Sequence, residues 1–199
     1  MKNLIGNPRA VAGWGIAFAV LLLVSAAMVS LPTAAASGEG IAAFYAAHGQ
    51  VIVIQQVVGI AALGAFIAFA LSLESSRWIR PTLLLFVVTE LATNVIPLLI
   101  VASNPSPSTA HSLTLAEDIA DSALFIAIAV FVAATTMTQP IWLRIAAYVV
   151  AATCTVRAVG SPFGFSALDT VAPFAFLVFV IVLSVESVVR RQSAAVLPP

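Results

Sequence analysis

The stretch LAEDIADSALF, residues 115–125, places Glu117, Asp118 and Asp121 inside a run that otherwise has the composition of a membrane helix. If the three acids break the helix, the chain has one span fewer and its second half changes direction. If they lie within it, the membrane holds an acidic site. The run 113–136 is long enough to cross a bilayer core of about 30 Å at about 20 residues, so the stretch is read as helical, with its acids at the start of a span.

The rest of the chain supports that reading. Of 199 residues, 62% are hydrophobic and only 8% charged, and the mean hydropathy is +1.13. This lies far outside the range of water-soluble domains. Eight acids balance eight bases, which argues against a nucleic-acid partner. Cys154 is the single cysteine, so an internal disulfide and a cysteine metal cluster are excluded. Six apolar stretches stand out, at 11–31, 51–73, 82–102, 113–136, 141–160 and 168–189. Between them lie LPTAAASGEG, ESSRWIRP, SNPSPSTAHS, MTQP and GSPFGFS, which carry the proline, glycine and serine expected of turns. Alternating ten-residue strands are absent, and backbone groups in lipid must then be satisfied within helices. The expected fold is all-α: a polytopic transmembrane helical bundle forming a single domain over 1–199. The segment IAAFYAAHGQ (41–50) is expected as a separate interfacial helix, with Phe44 and Tyr45 at headgroup level.

Residues 1–37 also have the order of a secretory signal: Lys2 and Arg9, an apolar run, then small residues. The apolar run exceeds a usual signal core and the following chain is equally hydrophobic, so a retained first span is expected. Basic residues then set the orientation. With six spans, Lys2, Arg9, Arg77, Arg80, Arg144, Arg190 and Arg191 fall on one face, leaving Arg157 as the exception among eight. Both termini are therefore expected in the cytoplasm, and the location to be a bacterial cytoplasmic membrane.

Orientation assigns depths. Gln55, Gln56, Glu90, Asn94, the span-four acids, Arg157 and Asp169 all fall in the outer half or near mid-membrane. At about 100° per residue, His111, Thr114, Glu117, Asp118, Asp121 and Phe125 share an arc of about 120°. Glu90 and Asn94 are one turn apart, Thr153, Cys154, Arg157 and Ser161 share a face, and Asp169 leads a stripe with Pro173 and Phe176. A carboxylate at such depth costs about 2.5–3.5 kcal/mol on insertion scales and normally faces the interior or a cavity. Acids this close together are also expected to share protons rather than all ionise. The expected site is an outward-opening acidic pocket with Glu90, Asp121, Asp118 and Glu117 as catalytic candidates. Asn94, Gln55, Gln56, Phe86, Phe125, Arg157, Asp169 and Phe176 are the substrate-binding candidates. Arg157 is expected to pair with Asp169 or the span-four acids. Phosphate loops, HExxH, CxxC and GxSxG are absent, so neither a cofactor nor a metal is called for. His111, Glu117 and Asp121 match metal ligands by type but not by any strong spacing.

FYAAHGQ before span two, the acidic start of span four and TQPIWLR entering span five together resemble a broad group of bacterial six-span membrane proteins of unknown function. That resemblance implies a helical bundle and no chemistry. In chemistry alone the chain is similar to integral membrane terpene cyclases, helical bundles in which buried carboxylic acids protonate an epoxide or alkene; no motif aligns, so no residue is carried over. Three functions follow as expectations. The first is an acid–base enzyme, of cyclase or isomerase type, acting on a lipidic or isoprenoid substrate, with Glu90 or Asp121 as general acid. The second is a small proton-coupled transporter using the same acids. The third is a non-catalytic partner protein, and membrane lipids are partners in every case.

Overall fold

The computed structural model describes residues 8–73, 77–137 and 139–196, with backbone alone for 8–9 and 190–196. Every extended regular element among them is an α-helix: α1 (Pro8–Ala26), α2 (Gly38–Ser72), α3 (Ile79–Ser103), α4 (Pro107–Thr135), α5 (Ile141–Gly160) and α6 (Val171–Val196). A single 3₁₀ turn, Ser161–Phe163, follows α5. Five helices are long and apolar enough to cross a membrane, and the apolar part of α1, Ala10–Ala26, is shorter. The chain is a multi-pass helical membrane protein.

Local sequence explains where the helices begin and end. Ser37 caps α2 by accepting a hydrogen bond from Gly40 N at 3.2 Å, and Glu39 lies in the first turn, where the helix dipole favours an acid. Ser106 caps α4 ahead of Pro107, whose fixed φ suits a first helical position. Asn104 ends α3 in the left-handed conformation, φ 43°, a role asparagine tolerates. With Ser37 as its cap, α2 runs unbroken for 35 residues. The expected interfacial helix at 41–50 is instead the outer third of α2. Nothing between Ile41 and Gln50 stops a helix, and Gly49 is only a weak interruption. The first apolar stretch shortens in turn: α1 ends at Ala26, and 27–37 form the connection to α2.

The helices form a ring in which each packs against the next and α6 returns to α1, while α2 also reaches across to α4. Gly15 lets α1 close on α6, because a Cβ there would overlap Ser184 Oγ. Inside the ring, Phe66 of α2 is the hub of an aromatic cluster. Its ring lies 4.8 Å from Phe18, 4.2 Å from Phe86, 5.0 Å from Phe131 and 5.9 Å from Phe176. In lipid, helices gain nothing by hiding apolar surface from lipid tails, so close packing of this kind is what holds them together.

The outer face is stepped. Arg157, three residues before α5 ends at Gly160, contacts Asp121, which lies fourteen residues after α4 begins. At about 1.5 Å per residue, α4 rises roughly 20 Å above the end of α5. The tall triad α2–α3–α4 thus stands over a lower shelf formed by the α5–α6 connection. At the other end, Arg77, Arg80 and Arg144 are exposed beside the starts of α3 and α5. Lys2 lies outside the described residues, as do the side chains of Arg9, Arg190 and Arg191.

Candidate functional site

Polar side chains of the outer half fall into four local groups rather than one open pocket. The first is a strap. Asp118 Oδ2 accepts a hydrogen bond from Ala34 N at 2.8 Å, and His111 Nε2 donates to Ala34 O at 3.0 Å. Two α4 residues, two turns apart on one face, therefore grip both polar groups of one residue in the α1–α2 connection. That connection is held across the outer part of α4. His111 is thereby occupied, and among the described residues no three His, Cys, Asp or Glu side chains converge as a metal site.

The second group sits on the shelf. Arg157 Nη1 donates to Asp121 Oδ2, its Nε lies 3.3 Å from Asp169 Oδ1, and its guanidinium stacks 3.9 Å from the centre of the Phe125 ring. Arg157 joins both partners expected of it. Phe125 gives one face to the arginine, so that face is taken from any pocket. The third group is on α3. Asn94 Nδ2 donates to Glu90 O at 2.7 Å and to Glu90 Oε1 at 3.2 Å. Asn94 Oδ1 presses on α2 at Gly59, where an added Cβ would overlap it and displace the amide. Pro97 leaves the carbonyl of Thr93 without its helical donor. Thr93 Oγ1 and Asn94 Nδ2 both turn back to the carbonyl of Glu90, reinforcing the turn below.

The fourth group is the one without partners. Tyr45 of α2 is 3% exposed and Thr114 of α4 is fully buried, yet neither hydroxyl has a hydrogen-bond partner. Glu117, one turn below Thr114, is half-buried and makes no hydrogen bond or ion pair among the described residues. Tyr45 lies within electrostatic reach of Glu117 and Asp118, and Glu90 within reach of Asp121. Glu117 thus lies within electrostatic reach of Asp118 of the strap, Asp121 and Arg157 of the shelf, and the buried hydroxyl of Tyr45.

The remaining candidates are placed elsewhere. Gln55 donates from Nε2 to Ser25 O at 3.1 Å and Val29 O at 2.9 Å, while Ser25 Oγ donates to Gln55 O at 3.1 Å. Ser25 O also accepts from Met28 N at 3.1 Å, and Val29 lies in the connection beyond α1, so Gln55 caps the end of α1 together with the first turn that follows it. Gln56 is buried beside it in sequence. Phe86 and Phe176 belong to the aromatic cluster around Phe66, below the acids and not among them. Sequence reading passed over Tyr45 and Ala34. Tyr45 looked like a headgroup residue, and a backbone recognised at alanine leaves no trace in composition. Comparison with protein-family models, curated proteins and solved structures gives no match to this chain.

Proposed function

We propose that the outer half of the bundle is a membrane-embedded acid–base site, of cyclase or isomerase type, acting on the polar or unsaturated end of a lipidic or isoprenoid substrate. One observation carries this reading: Glu117 makes no hydrogen bond or ion pair among the described residues and lies within electrostatic reach of Tyr45, whose buried hydroxyl is unpartnered. A buried hydroxyl without a hydrogen bond costs about 1–3 kcal/mol, and such exceptions call for an occupant. A ligand oxygen at this point would satisfy the Tyr45 hydroxyl and lie beside a carboxyl group able to exchange a proton with it. Asp118 and Asp121 are engaged with Ala34 and Arg157, which moves the role of general acid from Asp121 to Glu117.

In this mechanism Glu117 gives its proton to the substrate and Glu90, held by Asn94, takes one from another carbon. The net change is an isomerisation or ring closure, with no atom gained or lost and no cofactor. The inner aromatic cluster supports a closed pocket over a proton-coupled conduit, since five phenylalanines fill the ring beneath the acids.

The same reading takes α1 as a sixth span, since it packs along α2 and α6. It places both termini in the cytoplasm of a bacterium, with the seven basic residues on that side. Glu117→Gln keeps the volume and removes the proton. Lipid extracts of cells expressing wild type, compared by mass spectrometry with Glu117→Gln, test it. A product made by wild type and lost at least about 100-fold in the variant is expected. Equal turnover by a folded Glu117→Gln protein overturns the reading.

A further inference from the structure

Two adjoining hollows run along the outer part of α2 where it meets the end of α3. The inner one, about 270 Å³, is lined by Ala42, Tyr45, Ala46 and Gly49 of α2 and by Ile100 and Val101 of α3. The outer one, about 790 Å³, shares Ala46, Gly49 and Val101 and continues past His48 and Gln50 to Val53 and Ile54. Ala42, Ala46, Gly49 and Val53 succeed one another at three- and four-residue intervals, so one face of α2 is a trough of small residues. Val53 and Ile54 are exposed, which opens the trough onto the lipid-facing side of the bundle. At its inner end stands Tyr45, buried, with its hydroxyl unpartnered and within reach of Glu117.

We infer that this α2–α3 trough is the binding groove for the chain of a single-chain amphiphile, admitted from the outer leaflet with its terminal oxygen on Tyr45. The inference rests on the acid–base reading above for what happens at the oxygen, but not for the binding itself. Hollows of this combined size suit a small-molecule ligand, and their walls join the aliphatic side chains of Ile100, Val101, Val53 and Ile54 to the polar Tyr45, Asn104, His48 and Gln50. The ends of the groove match an amphiphile. Tyr45 lies nearer the start of α2 than His48, and Val53 and Ile54 lie further along it, so an oxygen on Tyr45 takes the polar end and a chain follows the aliphatic part.

The test uses the full-length protein in nanodiscs and a photoreactive C15 isoprenol carrying a diazirine, with labelled peptides mapped by mass spectrometry. Labelling confined to 42–54 and 100–105, and unaffected by excess phospholipid, is expected. Ala46→Trp, at an exposed position on the trough wall, reduces it at least tenfold, and the smaller Ala46→Leu covers the case in which tryptophan impairs folding. Tyr45→Phe reduces it about five- to tenfold, the worth of one hydrogen bond. Uniform labelling of lipid-facing helices, displacement by phospholipid, or unchanged labelling in the folded Ala46 variants overturns the inference. Because labelling reads occupancy without turnover, an active Glu117→Gln protein with a labelled groove defeats only the catalytic reading. A folded, unlabelled groove with an inactive Glu117→Gln protein defeats only this one.

Discussion

Arg157 Nη1 lies 2.5 Å from Asp121 Oδ2, joining α5 to α4 at the level where α5 ends. Asp121 has the spacing of a catalytic acid, but its carboxylate is spent on a guanidinium that also faces Asp169 and Phe125. Removing one member leaves the other charge uncompensated in a partly buried place. Arg157→Met is therefore expected to cost about 1–3 kcal/mol, less than for a fully buried pair because Asp121 and Asp169 keep some solvent. A double-mutant cycle with Asp121→Asn, read as melting midpoints in detergent, is expected to recover part of the loss. Strictly additive losses would show that the pair is uncoupled.

Gln55 is the second polar residue with a structural assignment. Gln55→Leu keeps the size of the side chain and strands the carbonyl of Val29, while Ser25 O keeps only its bond from Met28 N. Interhelical hydrogen bonds of this kind are worth about 0.6–2 kcal/mol in membranes. Hydrogen exchange is expected to rise at residues 25–37 while α3 to α5 keep their protection. Protection unchanged at the end of α1 would argue against the cap.

Gly59 faces Asn94 so closely that a single methyl group overlaps the amide oxygen. Gly59→Ala is expected to destabilise by about 1–3 kcal/mol through overpacking and to release Asn94 from Glu90. Adding Asn94→Ala makes room for the methyl group and restores much of the melting temperature. Failure of that second change to compensate would place the strain elsewhere.

The strap over α4 depends on the N–H of Ala34. Ala34→Pro removes that donor, and Asp118→Leu removes its acceptor. Both are expected to raise proteolysis within 28–37 by a similar factor, without moving the global melting transition. A Pro variant as resistant as wild type would show that the strap is held by other contacts.

Phe66 packs against aromatic rings from α1, α3, α4 and α6, whereas Phe69 is near Phe66 alone among the aromatic rings. Phe66→Ala is expected to cost about 3–5 kcal/mol, clearly more than Phe69→Ala. Equal shifts in thermal unfolding would mean that the hub has no special weight.

Hydropathy, helix caps and turn residues were enough to read the helices themselves, because these are local properties of the chain. The run 113–135 is helical despite its acids, but of SNPSPSTAHS only 104–106 separates α3 from α4, because Ser106 and Pro107 start α4 and the rest forms its first turns. Helical period likewise put His111, Glu117, Asp118 and Asp121 on one face of α4. Reading IAAFYAAHGQ as a separate helix failed for a local reason too: the effective cap is Ser37, upstream of it, and no breaker follows.

Which partner each polar face meets was settled only by the way the ring closes. Asp121 is 36 residues from Arg157, and Asp118 is 84 from Ala34, separations at which periodicity carries no information. Gln55 looked like a ligand group until the end of α1 and the turn after it came to lie beside it, with the carbonyls of Ser25 and Val29 as acceptors. Phe86, Phe125 and Phe176 are alike in the sequence, yet packing sends the first and last to the core and the middle one to Arg157. Tyr45 gained its place when α2 carried it beside α4, burying a hydroxyl within reach of Glu117, an acid of α4 with no hydrogen bond or ion pair among the described residues. A span's composition follows from its own residues, whereas the availability of a carboxylate depends on what the neighbouring helices bring to it.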